Sequence, residues 1–425
     1  MAEMVKTPAP LPPSFPAAQS LSAWTPLREP LFRAMWIAAI ISYIGTWMQA
    51  VGAGWMMAVL TMSPLMVGLV QAAVALPVFL VILPAGALAD MVDRRRFLLI
   101  TQAWMVLASG ALGVLTLLHV VTPWILLGFT FLLGLGAVMN DPAWQAITPE
   151  LVPSEQHAAA VAMNSAGFNV ARAIGPALGG MVIAAAGSGP AFLLNALSFF
   201  GVIVVLYRWK RPAPERIETA ALADAVLAGI RYVRQSQLVR SVLIRTGAFS
   251  VGAIALLALL PLISRPFGAT GYGTLLGCFG VGALAGATIL PRLRRRLSVD
   301  GLVAGAIVVF ALMTFLAGRT GEFVSLCLVM AAAGGAWIGI LACLNTAAQT
   351  MCPPWVRARA LSMYLLVLQG GMAVGSTLWG ALATRIGLPN ALLCSALALV
   401  AGLLTIRKHR LTTHHLAMAP SVVRD

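Results

Sequence analysis

The sequence is dominated by uncharged stretches long enough to cross a bilayer. Leu65 to Ala89 carries no Asp, Glu, Lys or Arg, and neither does Phe97 to Leu118. As helices, runs of this length span the ~30 Å hydrocarbon layer. Further apolar runs lie at about 34–59, 124–146, 158–184, 190–207, 241–264, 271–291, 301–318, 323–348, 361–384 and 388–405. Twelve spans predict an all-α membrane protein. With 60% hydrophobic and 10% charged residues, and a mean hydropathy of +0.92, a soluble fold would leave too much apolar surface in water. The lipid bilayer is therefore an expected partner.

The net charge of +15 would suggest nucleic acid in a soluble protein, but here the arginines sit in short loops between apolar runs. That pattern is an orientation signal, and no nucleic-acid partner is expected. Of the 28 Lys and Arg residues, Arg265, Arg319 and Arg385 fall in loops on one side, and nearly all the others cluster on the side of the termini. The rule that positive loops stay inside places both termini in the cytoplasm. The five cysteines, Cys278, Cys327, Cys343, Cys352 and Cys394, lie in or beside apolar runs without paired spacing. Neither a metal cage nor a disulfide framework is suggested, and no cofactor is expected.

The chain divides into a flexible leader at 1–30, a six-helix half at 31–207, a linker at 208–240, a second half at 241–406 and a basic tail at 407–425. Within the linker, Leu222, Val226, Ile230 and Val233 recur at helical spacing and predict an amphipathic surface helix. Internal repeats support two parallel halves. Gly86-Ala-Leu-Ala followed by Arg94-Arg95-Arg96 recurs as Gly282-Ala-Leu-Ala followed by Arg294-Arg295-Arg296. A spacing of 200 also carries Pro153 onto Pro353, Gly175 onto Gly375 and Gly180 onto Gly380. Parallel repeats place a binding cavity between the halves, near the membrane midplane.

Three stretches carry a family resemblance. Gly86, Asp90, Arg94 and Arg95 are similar to the loop motif between spans two and three of the major facilitator superfamily, with Met91 where a basic residue is usual and Asp93 where Gly is usual. Asn164 to Gly180 resembles the span-five motif of exporters, and Asp141-Pro142-Ala143 to Pro153 resembles the end of span four in the bacterial efflux branch. The resemblance covers nearly the whole chain. It points to the branch of enterobactin-exporter-like and macrolide-efflux-like transmembrane secretion effectors, and implies two six-helix pseudo-repeats and a transporter rather than an enzyme.

Candidate residues follow. Asp90, Arg94 and Arg95 form a conformational latch or, more plainly, an anchor for the loop in the cytoplasm. Asp141 is an ionisable group inside a span, where insertion costs ~2.5–3.5 kcal/mol, so it calls for a partner such as Arg94 or for a role in proton coupling. Arg172 is about fifteen residues into span five, ~22 Å along the helix, and shares a stripe with Asn164, Phe168 and Asn169 that either lines a cavity or packs. Tyr43, Trp47, Gln49, Trp337, Asn345, Tyr364 and Gln369 are further cavity candidates, suited to a bulky amphipathic small molecule, while Trp144 reads as an interfacial belt residue. Gly175, Pro176, Gly179 and Gly180 thin and bend a helix for close packing.

These residues predict a monomeric secondary exporter of the bacterial inner membrane, proton-coupled, with a siderophore or drug-like substrate. No nucleotide-binding motif is present. An importer of the same fold is the nearest alternative. A membrane-embedded transferase would need clustered aspartates free of arginines, and a sensor would carry an appended soluble domain.

Overall fold

The computed structural model describes residues 24–91, 93–209, 236–350 and 354–405, with the side chains of 82–91, 354–356, 358 and 359 outside the description. Among these residues twelve α-helices are present, joined by short turns and a few single 3-10 turns. They are α1 (Pro30–Leu60), α2 (Pro64–Met91), α3 (Arg94–Leu117), α4 (Pro123–Ile147), α5 (His157–Ala186), α6 (Ser188–Arg208), α7 (Gln237–Ile263), α8 (Gly268–Arg294), α9 (Val299–Ala317), α10 (Phe323–Thr350), α11 (Pro354–Ile386) and α12 (Leu388–Gly402). The first eleven are long and apolar enough to cross a membrane, and α12 is a shorter apolar helix. The predicted amphipathic helix at 220–233 lies outside the described residues.

Local chemistry sets the helix starts. Proline opens α1 and α4, where its missing N–H costs nothing. Asp93 caps α3 by accepting from the Arg96 N–H at 2.8 Å, and Ser298 caps α9 in the same way through Gly301. Gly187 between α5 and α6 and Gly387 between α11 and α12 both sit at φ +83°, a conformation only glycine adopts freely, so each turn closes in a single residue.

Packing repeats across the two halves. In the first, α1 packs on α5 and α6, α2 on α4, and α3 on α4 and α6; in the second, α7 packs on α11 and α12, α8 on α10, and α9 on α10 and α12. Two seams join the halves, α2 against α11 and α5 against α8. A Cβ added at Gly180 would lie 2.7 Å from the Ala269 carbonyl oxygen, and one at Gly380 would lie 3.0 Å from Leu65 Cα, so the two seams are equivalent and both need glycine.

The structural register corrects one sequence repeat. Gly68 packs on the Ser376 carbonyl and Gly273 on the Pro176 carbonyl, which aligns α2 with α8 at a spacing of 205 rather than the 196 that relates Gly86 to Gly282. Gly282 lies inside α8, against the backbone of Ala331 in α10, whereas Gly86 lies in the last turns of α2. Small residues recur wherever helices cross closely, so a short Gly-Ala match at the wrong spacing is readily mistaken for homologous register.

Candidate functional site

With an even number of helices, both described ends of the chain lie at one end of the bundle, here called proximal. A cavity of about 240 Å³ lies between the halves, some fifteen residues into α5 and α11. The first half contributes Trp47, Gln71 and Arg172, and the second contributes Ile254, Leu276, Phe279, Trp337, Gln369 and Met372. Arg172 is the only formally charged residue of this lining. Its Cζ stands 5.9 Å from the Trp47 ring centroid, a cation–π geometry that partly replaces lost hydration without cancelling the charge.

The distal end of the cavity is where the halves meet. Gly175 and Gly179 let α5 approach α1 closely: a Cβ at Gly175 would lie 2.7 Å from Trp47 Cβ and one at Gly179 2.8 Å from Met48 Cα. Pro176, inside α5, forms part of the cavity wall. Beyond them Tyr272 packs its hydroxyl on Gly54 across the seam. Farthest out, the Arg265 guanidinium donates to the carbonyls of Ala58 and Thr61, tying the α7–α8 turn to the end of α1. On the proximal side, Ser165 and Asn169 of α5 are exposed.

A second cavity, of about 160 Å³, lies within the first half one helical turn nearer the proximal end. Tyr43, Gln102, Asn140, Asp141, Trp144 and Phe168 line it. Tyr43 precedes Trp47 by four residues and Phe168 precedes Arg172 by four, so two layers are stacked ~6 Å apart along α1 and α5. Tyr43 and Phe168 meet edge to face at 5.3 Å, and Trp47 and Phe168 lie 6.4 Å apart, so these rings form the partition between the cavities.

Several predicted residues are placed elsewhere. Asp141 does not pair with Arg94. Because α4 continues six residues past Asp141, the arginine at the bundle end meets Glu150 instead, with Nη1 donating to Oε1 at 2.9 Å and to the Ala146 carbonyl at 3.4 Å. Arg95 donates to the carbonyls of Leu206 and Tyr207 at 2.9 and 2.8 Å, fastening the start of α3 to the end of α6. The side chain of Asp90 lies outside the described residues.

Gln49 lines neither cavity. It is buried and accepts from Ser109 and Asn195 at 2.5 and 2.6 Å, satisfying a polar knot among α1, α3 and α6. Tyr364 is likewise buried, with its hydroxyl 3.5 Å from the Leu341 carbonyl. Asn345 accepts from Gln349 on its own helix, Asn164 donates to Thr148 at 2.9 Å, and Asn169 donates to the Ser165 carbonyl at 2.8 Å. Trp144 is buried at 8% exposure and is not a belt residue.

One charged pair escaped the sequence reading altogether. Arg245 of α7 is 3% exposed and pairs with Asp300 in the first turn of α9. The signal was there, since Arg245 falls inside the run 241–264. Averaging hydropathy over a window hides one arginine among twenty apolar residues.

Comparison with known proteins agrees with this architecture. The chain is 28% identical over 169 residues to the staphyloferrin A transporter of Staphylococcus aureus, covering 40% of this chain and 43% of the relative. It is 27% identical to the multidrug efflux pump Tap of Mycolicibacterium fortuitum, covering 50% and 55% of the two chains. It is 26% identical to the enterobactin exporter EntS of Escherichia coli, covering 53% and 54%. The chain thus spans about half the length of the curated relatives it matches. The nucleoside transporter NupG superposes with a TM-score of 0.69 at 13% identity, covering 89% of this chain and 98% of that one. A bacterial homologue of the lysosomal transporter Spinster, in an inward-facing unoccupied conformation, superposes at 0.66 and 14% identity, covering 91% and 96%. A family profile described as transmembrane secretion effector matches residues 21–423. On that near-complete match the chain belongs to the transmembrane secretion effector family of the major facilitator superfamily, a family of multi-pass membrane transporters rather than enzymes, and the solved transporters share its fold.

Proposed function

We propose that the protein is a monomeric secondary exporter of the bacterial inner membrane, with both termini cytoplasmic, carrying a medium-sized organic compound outward by alternating access. The observation that carries this reading is the 240 Å³ cavity between the halves, walled by helices of both and bridged over at its distal end by the Arg265 and Tyr272 contacts. A ligand held there contacts both halves, so rocking one against the other changes the side it faces. The distal closure and the exposure of Ser165 and Asn169 support an inward-facing state. The names of the relatives, two of them siderophore transporters and one a drug pump, support export of that size class. Arg172 favours an anionic or catechol-bearing substrate, and the aromatic and apolar lining suits a hydrophobic drug.

Protons are the driving ion in this reading. Among the described residues Asp141 is the only carboxylate set inside a helix away from its first and last turns, and it has no hydrogen bond or ion pair. Asp90, Arg94 and Arg95 form the cytoplasmic latch, with Arg94 docked on Glu150. The test is flux in sealed, inverted vesicles. An imposed inward-acidic gradient is expected to drive accumulation of a siderophore or dye. Indifference to the gradient removes proton coupling, and accumulation with the opposite vectorial sense removes export.

A further inference from the structure

We propose that the proximal end of α8 is a docking site for an anionic phospholipid, with the lipid phosphate held by arginines and an acyl chain lying along the exposed apolar face of the helix. The site is on the outer surface of the second half, so it stands apart from the central cavity and from the direction and coupling of transport.

Equivalent loops of the two halves dispose of their arginines differently. Asp93 caps α3 and Ser298 caps α9, at the same spacing of 205 that relates α2 to α8. Arg94 and Arg95 therefore open α3, where Glu150 and the carbonyls of Leu206 and Tyr207 take up their guanidinium groups. The second-half cluster closes α8 instead. Arg292, Arg295 and Arg296 are exposed, and among the described residues their guanidinium groups make no hydrogen bond or ion pair. The second half has no carboxylate to give them. From 241 to 406 the chain holds two, Asp300 and Glu322. Asp300 is engaged by Arg245, and Glu322 precedes α10 at the distal end. Three like charges within five residues repel one another unless an anion comes between them.

The neighbouring surface identifies that anion as a lipid. Ile289, Leu293 and Leu297 recur every four residues and are 49, 40 and 50% exposed. The Leu297 N–H donates to the Leu293 carbonyl at 2.9 Å, so the helical turn carries the stripe one step past the end of α8. The arginines thus interleave with an apolar stripe where the membrane-spanning stretch, Arg265–Arg294, ends. A soluble anion would leave the stripe uncovered, and a lipid without net charge would leave the arginines uncompensated. The guanidinium fork matches phosphate oxygens, and a basic cluster at the end of a membrane helix attracts anionic headgroups.

The test uses the full-length protein stripped of lipid in a non-ionic detergent. Phosphatidylglycerol and phosphatidylcholine carrying the same fluorescent acyl chain are titrated separately, and fluorescence polarisation is followed. Saturable binding of phosphatidylglycerol is expected, tighter than that of phosphatidylcholine and weakened by added salt. The combined variant Arg292→Gln, Arg295→Gln, Arg296→Gln should weaken it about tenfold or more. A control variant, Arg28→Gln, Arg208→Gln, Arg240→Gln, removes as many exposed arginines from the same end of the bundle and should bind as the native protein does. Equal binding of the two lipids, indifference to salt, or equal loss in the two variants overturns the proposal. Displacement of the lipid by glycerol 3-phosphate assigns a soluble phosphate compound and overturns it as well. The salt response and the comparison of the two lipids need no variant, and neither depends on flux.

Discussion

At three equivalent positions the two walls of the central cavity differ in chemistry, although the second wall has its own indole and amide in Trp337 and Gln369. Trp47 of α1 corresponds to Ile254 of α7, Gln71 of α2 to Leu276 of α8, and Arg172 of α5 to Met372 of α11. The first half presents an indole, an amide and a guanidinium where the second presents three aliphatic or thioether side chains. The contrast extends to buried charge. The second half pairs Arg245 with Asp300, whereas the first leaves Asp141 and Arg172 facing separate cavities. A duplicated fold needs both halves to rock, but the formal charge of this cavity stands on one wall only, with aromatic, amide and apolar groups opposite to accept the rest of a ligand.

The largest effect that tests this contrast is expected at the structural pair. Asp300→Ala removes the carboxylate paired with Arg245 in the protein interior, and about 3–5 kcal/mol of stability should be lost, read as a lower melting temperature in detergent. Arg172→Met, which gives the first wall the residue of the second, should leave melting nearly unchanged. If Arg172→Met destabilises as much as Asp300→Ala, the division into structural and functional charges fails.

The next effect tests the seams, where the halves remain alike. Gly180→Val and Gly380→Val each push a side chain into backbone, and each should cost about 1–3 kcal/mol and slow transport to a similar degree. Unequal losses at the two positions would show that the seams have diverged as the walls have.

The smallest expected effect in free energy concerns recognition itself. Arg172→Met should reduce efflux of an anionic substrate about tenfold, equivalent to ~1.4 kcal/mol, while a neutral hydrophobic dye is carried nearly as before. Equal loss for both substrates would make Arg172 a gating or packing residue.

Much of this was legible along the chain because the relevant physics is local. Apolar runs locate the helices, since any length of backbone crossing a bilayer must satisfy its own hydrogen bonds. Gly180 and Gly380 announced equivalent seams through their spacing, and the fold follows from the repeat. The roles of individual polar residues were another matter, because a side chain's partner is set by neighbouring helices that are distant in sequence. Gln49 reads like a cavity amide until Ser109 and Asn195, sixty and more residues away, are seen to claim it. Asp141 reads like a mate for Arg94 until the six further residues of α4 carry Glu150 to that position. Arg172 and Asp141, each a single charge in an apolar run, end in different cavities because two aromatic layers, Trp47 and Tyr43 with Phe168, stand between them. Helix length and hydropathy are one-dimensional properties and survive in the sequence, whereas which face of a helix meets water, a partner or a void is fixed by how twelve helices pack.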